Sequence, residues 1–74
     1  MDSQRLRQLM KNDAGSIKAF ALKHGLRYTT IYEATKHDER IGGMSVNTFL
    51  SIAQALGMSA EELIGELSEQ KGNQ

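Results

Sequence analysis

The chain has 74 residues, the length of one small domain, and it contains no cysteine and no proline. Disulfides and thiolate metal sites are therefore excluded, and a chain this short must rely on well-packed helices to fold. Nine basic and nine acidic side chains give a formal net charge of zero, which argues against a uniformly basic surface, and no apolar run approaches the roughly 18 residues of a membrane helix.

Residues 3–11 place Leu6, Leu9 and Met10 at i, i+3, i+4 spacing, with Arg5, Arg7, Gln8 and Lys11 on the other side. This predicts a first helix, broken by Asn12-Asp13-Ala14-Gly15. Ser16 is a good N-cap for a second helix, because its hydroxyl can satisfy a free amide of the first turn. That helix is expected from Ile17 to about His24, with Phe20 and Ala21 apolar and Gly25 in the left-handed position past its end.

A third helix is expected from Arg27 or Tyr28 to about Lys36. With Ile31 pointing inward, Ala34 and Thr35 flank the same face, while Thr29, Glu33 and Lys36 point away, with Tyr32 beside them and Tyr28 at the edge. Thr29-Thr30-Ile31 is a β-branched run, so this helix is weak in isolation and must be held by packing. Residues 37–44 are expected to form the longest loop, with Ile41 and Met44 tucked inward and a turn at Gly42-Gly43.

Ser45 then caps a fourth helix to Leu56, with Val46, Phe49, Leu50, Ala53 and Leu56 at helical period and Ile52 on a second apolar side. This is the most apolar helix and the expected centre of the core. Ser59-Ala60-Glu61-Glu62 has the form of a capping box. It opens a fifth helix whose apolar stripe is Leu63, Ile64 and Leu67. Residues 1–68 are expected to form the folded unit and residues 69–74 a flexible C-terminal tail.

Charge is divided unevenly along this order. Residues 1–44 hold eight basic side chains against five acidic, a net +3, and residues 45–74 hold Lys71 against Glu61, Glu62, Glu66 and Glu69, a net −3. Screening confines each charge to about 8 Å at physiological salt, so a local basic face can act in a neutral chain.

The stretch from Ile17 to Ala34 has the spacing of a helix-turn-helix: a helix, a glycine stop, a tight turn and a second short helix. Five short helices with the second and third forming that unit make the expected fold all-α. The arrangement resembles the lambda-repressor-like, or Xre/Cro-type, DNA-binding domains over roughly residues 5–67. The resemblance rests on Phe20, Ala21, Gly25, Leu26 and Ile31 in the turn unit, on Ser45 to Phe49, on Ile52 to Ser59 and on Glu61-Glu62-Leu63. Gly15 to Ala21, together with Tyr28 to Ile31, is similar to a subgroup common in bacterial and prophage regulators. The chain departs from the family pattern at Ile17, where Gln is frequent, at Arg27, where Ser is frequent, and in a longer loop bearing Asp38-Glu39.

The resemblance implies double-stranded DNA as partner and a repressor-type transcriptional regulator acting as a homodimer on a palindromic operator. Its half-sites would lie about 34 Å apart. By the same resemblance Tyr28, Thr29, Tyr32 and Glu33 face base edges. Ser16, Lys18, Arg27, Thr30, Lys36, Arg40 and Ser45 meet phosphates. The acidic fifth helix, at Leu67 and Ile64, is the expected dimer surface.

Plainer readings stand beside these. The tyrosines can be surface packing, Glu33 a solvated charge, and Lys18 and Lys23 solubilising groups. His24 at a helix end is expected to be structural and His37 to be loop surface. With two histidines thirteen positions apart and no cysteine, no zinc site is expected. No cofactor, small-molecule ligand or nucleophile arrangement is expected either, so the chain is not read as an enzyme. The polar N-terminus lacks a signal-peptide apolar segment, and the expected location is the cytoplasm, at the nucleoid. The alternative function is a protein-interaction module of antitoxin or anti-repressor type, because one fold serves several functions.

Overall fold

A computed structural model of the chain describes residues 2–68, and these are mostly helical, without a strand. Six helices follow in order: α1 (Ser3–Ala14), α2 (Ile17–Lys23), α3 (Tyr28–Ala34), α4 (Asp38–Gly43), α5 (Val46–Ala55) and α6 (Ala60–Leu67). The tail expected over residues 69–74 lies outside the described residues.

The helix starts follow local capping chemistry. Ser16 Oγ accepts from the Ala19 amide at 3.0 Å, Ser45 Oγ from the Thr48 amide at 3.1 Å, and Ser59 Oγ from the Glu62 amide at 3.1 Å. Glu62 Oε1 returns the bond by accepting from the Ser59 amide at 2.8 Å, which completes the capping box. Asp2 caps α1 by accepting from the Arg5 amide at 3.0 Å. Two helix ends share a second device. Gly25 (φ +68°) and Gly57 (φ +74°) adopt the left-handed conformation. The following amides reach back five residues, Leu26 to the Ala21 carbonyl at 2.8 Å and Met58 to the Ala53 carbonyl at 2.9 Å. This is the Schellman arrangement, which satisfies carbonyls a helix end would otherwise leave unpaired.

The core is built from Leu6, Met10, Phe20, Ala21, Ile31, Ile52, Ala53, Leu63 and Leu67, each at most 2% exposed. α1 closes against α6. The Asp2 amide donates to the Leu67 carbonyl at 2.9 Å, and Arg5 donates through Nε and Nη2 to Glu66 Oε1 at 3.2 and 2.6 Å. Burying a side chain the size of Leu or Phe is worth about 1.5–3 kcal/mol, so these few residues dominate the stability of so small a unit.

Three expectations are corrected. Residues 37–44 are not a loop, since they contain the extra helix α4, and the described residues hold six helices rather than five. Asp38 and Glu39 lie in the first turn of α4, where the helix dipole favours acids, and buried Ile41 anchors it. The first helix runs through Asn12 and Asp13 to Ala14, because Asp13 is held from α2 by Lys23 and by His24 just beyond it. α5 turns its apolar sides differently from expectation. Ile52 and Ala53 are buried and Phe49 and Leu56 are partly buried, but Val46 is 71% exposed and Leu50 39% exposed. A helix apolar on two sides does not reveal by its period which side its neighbours cover.

Candidate nucleic-acid interface

The α2–α3 unit sets the geometry of the site. The Schellman turn at Gly25 and Leu26 links α2 to α3 across residues 24–27, the span of a helix-turn-helix. α3 is fixed from beneath by Ile31, 2% exposed, and by Thr35, fully buried, whose Oγ1 donates to the Ile31 carbonyl at 2.8 Å. With that face down, Tyr28, Thr29, Thr30, Glu33 and Lys36 are exposed and Tyr32 is half-buried.

The exposed residues of α3 and of the turn just after it fall into two strips. One is aromatic and basic. Tyr28 and Tyr32 rings lie 5.7 Å apart in a tilted pair, and Lys36 Nζ is 5.9 Å from the Tyr32 centroid. The other is polar and charge-neutralised. Glu33 Oε1 is 3.5 Å from Arg40 Nη1 of α4, and Thr30, Glu33 and Arg40 share a shallow depression with Ala34, Gly43 and Met44. Helix α4 thus delivers a cation to an acid on α3. Both partners are about half exposed, so the pair contributes little to stability, in the range of roughly 0–1 kcal/mol.

The remaining phosphate-contact candidates are dispersed. Ser16 and Lys18 open α2 and have no hydrogen bond or ion pair to α3 among the described residues. Ser16 accepts an amide as a cap, which leaves its hydroxyl proton free to donate. Ser45 is more committed, since its hydroxyl also donates to Thr48 Oγ1 at 2.9 Å. Arg27 occupies the N-cap position of α3 without a capping bond, and its guanidinium is exposed. Lys23 is paired with Asp13 Oδ2 at 3.3 Å.

Sequence reasoning missed three residues that hold this arrangement. Arg7 of α1 reaches α3, donating from Nε to the Thr35 carbonyl at 2.9 Å. Asp13 gathers the α2 end. His24 Nε2 lies 2.8 Å from Asp13 Oδ2, and the His24 ring packs 4.7 Å from Phe20. The His24 hydrogen bond, and after it that of Lys23, holds the Asp13 carboxyl below its ordinary pKa against partial desolvation. Asp38 accepts from the Ser3 amide at 2.9 Å, and hydrogen bonds from Ser3 likewise lower its pKa. These contacts join residues 11 to 35 positions apart, and no local pattern signals them.

Among the described residues no three His, Cys, Asp or Glu side chains converge on a point where a metal ion could sit. None of the described helices is long and apolar enough to cross a membrane. The residue expected at the dimer surface, Leu67, is fully buried and belongs to the core, whereas Ile64 is 42% exposed. Ile64 instead borders an apolar groove with Val46 and Leu50, floored by Ile41, Met44 and Phe49. The geometry defines a class, an all-helical unit with a short, exposed helix, α3, joined to α2 by a four-residue turn. The chain matches no protein-family model, no curated protein and no solved structure.

Proposed function

We propose that the chain is a sequence-specific double-stranded DNA-binding protein, a lambda-repressor-like transcriptional regulator of repressor type, with α3 as its reading helix. The observation that carries this reading is the attitude of α3. Ile31 and Thr35 are sunk into the core, and Tyr28, Thr29, Glu33 and Lys36 stand exposed beyond a helix-turn-helix bend. A helix so presented can enter a major groove, where side-chain donors and acceptors distinguish all four base pairs. The Thr29 hydroxyl can donate or accept while its methyl meets a thymine methyl. Glu33 can accept from a cytosine amino group, and the tyrosine hydroxyls can reach a base edge or phosphate. Lys18, Arg27 and Lys36 supply attraction that is independent of sequence, by displacing counterions. Ser16, Thr30, Arg40 and Ser45 complete the phosphate contacts of this reading.

A homodimer on a palindrome follows from how few base-reading residues one subunit presents. The α4–α5–α6 groove suits the second copy. Its eight lining residues carry no charge, so two copies meet there without like-charge repulsion.

Selection from random duplexes, followed by fluorescence anisotropy across salt, tests the reading. An enriched palindrome and a negative slope of log affinity on log salt are expected. The substitution Thr29→Ala should relax discrimination at one position, with a loss of about 1 kcal/mol on the preferred site. Lys18→Ala should weaken all duplexes alike and reduce the salt slope by about one. If no duplex is enriched and no binding is seen at low salt, the DNA reading is wrong. The second reading, a protein-interaction module of antitoxin or anti-repressor type, then takes its place. It draws on the neutralised Glu33–Arg40 strip and on the exposed Val46, Leu50 and Ile64.

A further inference from the structure

α3 is short of the devices that hold a helix in place. It has seven residues, no side-chain N-cap bond and no basic residue in its last turn. It also contains the β-branched run Thr29-Thr30-Ile31, which weakens it further. Yet the proposed function asks this helix to present its side chains in one fixed geometry.

Arg7 supplies what α3 lacks. Its Nε donates to the Thr35 carbonyl at 2.9 Å and its Nη2 approaches the Tyr32 carbonyl at 3.5 Å, so one guanidinium meets two carbonyls at the end of α3. Positive charge there complements the helix dipole; among the described residues the Thr35 carbonyl has no other donor, while the Tyr32 carbonyl also receives the Thr35 hydroxyl at 3.5 Å. The same guanidinium carbon lies 4.8 Å from the centroid of the Tyr32 ring, the distance of a cation–π stack. Tyr32 in turn packs on Tyr28 at 5.7 Å. Neither tyrosine hydroxyl is hydrogen-bonded among the described residues, so both are free to meet a ligand while their rings are held from behind.

We infer that Arg7 of α1 is a positioning residue for DNA recognition, acting through Tyr32 to fix the aromatic edge of α3. This rests on the DNA reading above. Arg7 is half-buried and is engaged by backbone and ring, which separates it from Lys18 and Arg27, whose charges are exposed. Lysine does not reproduce the arrangement, because it has neither the planar fork nor the stacking face of arginine.

The test is a double-mutant cycle on the duplex selected by the wild type, with Arg7→Ala, Arg7→Lys, Tyr32→Ala and the Arg7→Ala/Tyr32→Ala double variant. Arg7→Ala is expected to weaken the selected duplex roughly three- to thirty-fold, the usual range for residues coupled to a site without touching its ligand. Binding to random duplex should change by less than about twofold, with the salt slope unaltered, because no phosphate contact is lost. In the Tyr32→Ala background the effect of Arg7→Ala should shrink to what the bonds to the α3 carbonyls alone contribute. Arg7→Lys should resemble Arg7→Ala, and it decides the matter if the alanine variant does not fold. Additive losses, restoration by lysine, or a salt slope reduced by about one would each overturn the inference. The last would make Arg7 a phosphate contact. A wild type that selects no duplex fails the DNA reading itself. A wild type that selects one while the Arg7 variants bind it normally fails this inference alone.

Discussion

Asp13 and Asp38 hold the two ends of α1, and both do so as carboxylates. Asp13 accepts from His24 and Lys23 at the C-terminal end, and Asp38 accepts from the Ser3 amide at the N-terminal end. Hydrogen bonding lowers the pKa of each in the folded protein. A carboxyl with a depressed folded pKa stabilises the fold above its unfolded value, about 3.9, and loses that contribution as pH falls through the folded value. Asp13→Asn and Asp38→Asn should therefore melt below the wild type at pH 6–7. The difference should begin to narrow below about 4 and close only as pH falls through the lowered folded-state pKa, where the folded carboxyls become neutral like the amide. Thermal melts from pH 2 to pH 7 measure it, and a pH-independent difference would show that the two aspartates act by shape alone. Neither role follows from the neighbours of these residues in the chain. Asp13 sits in a stretch that reads as a helix break, and Asp38 in one that reads as a loop. Each is explained only by a partner brought close by the fold.

At the scale of elements, the helices whose signals are local were legible and those held by distant partners were not. Ser16, Ser45 and Ser59 each cap as their sequence contexts indicate, and Gly25 and Gly57 end α2 and α5 in the left-handed conformation. Removing the capping box should thus carry the ordinary cost of a lost cap. Ser59→Ala is expected to cost about 1 kcal/mol and to lower the melting temperature by about 4–8 °C. Duplex affinity at 20 °C should be unchanged. Ser16→Ala should lower stability similarly, and under the DNA reading it should weaken binding as well, which separates a cap that meets phosphate from one that does not. α4 was not legible, because six residues with one buried apolar side chain show no period. Its consequence for the site was hidden too: Glu33 and Arg40, which the resemblance assigns separately to a base and a phosphate, pair with each other in the free protein. Glu33→Gln removes an acid from the face presented to DNA and releases Arg40. It should raise affinity for random duplex several-fold while reducing the ratio of selected to random binding. The same anisotropy titrations read both quantities, and a fall in random-duplex affinity would mean that Glu33 does not face phosphate.

For the molecule as a whole, charge and apolar surface are divided between different regions. Residues 1–44 have a net charge of +3 and contain the whole α3 face, whereas residues 45–74 have a net charge of −3. Among the cations near α3, Lys23 and Arg40 are paired with acids. That leaves chiefly Lys18, Arg27 and Lys36 to displace counterions. Three phosphate contacts per subunit give a slope of log affinity on log salt of about −3, and a dimer about twice that. The apolar surface lies in the groove where Val46, 71% exposed, stands beside Leu50 and Ile64. If a second copy covers this groove, Val46→Glu should separate the two, because it places a carboxylate against its own symmetry mate in an apolar contact. At that exposure the substitution should alter monomer stability by no more than about 0.5 kcal/mol. Sedimentation equilibrium should then show a dimer for the wild type and a monomer for Val46→Glu, with similar melting temperatures at low concentration. The variant should bind a palindrome no more tightly than a half-site, with a salt slope near −3 rather than about −6. A wild type that stays monomeric and shows no preference for the palindrome would remove the second copy from this groove. The attitude of α3 would then have to account for recognition with one subunit alone.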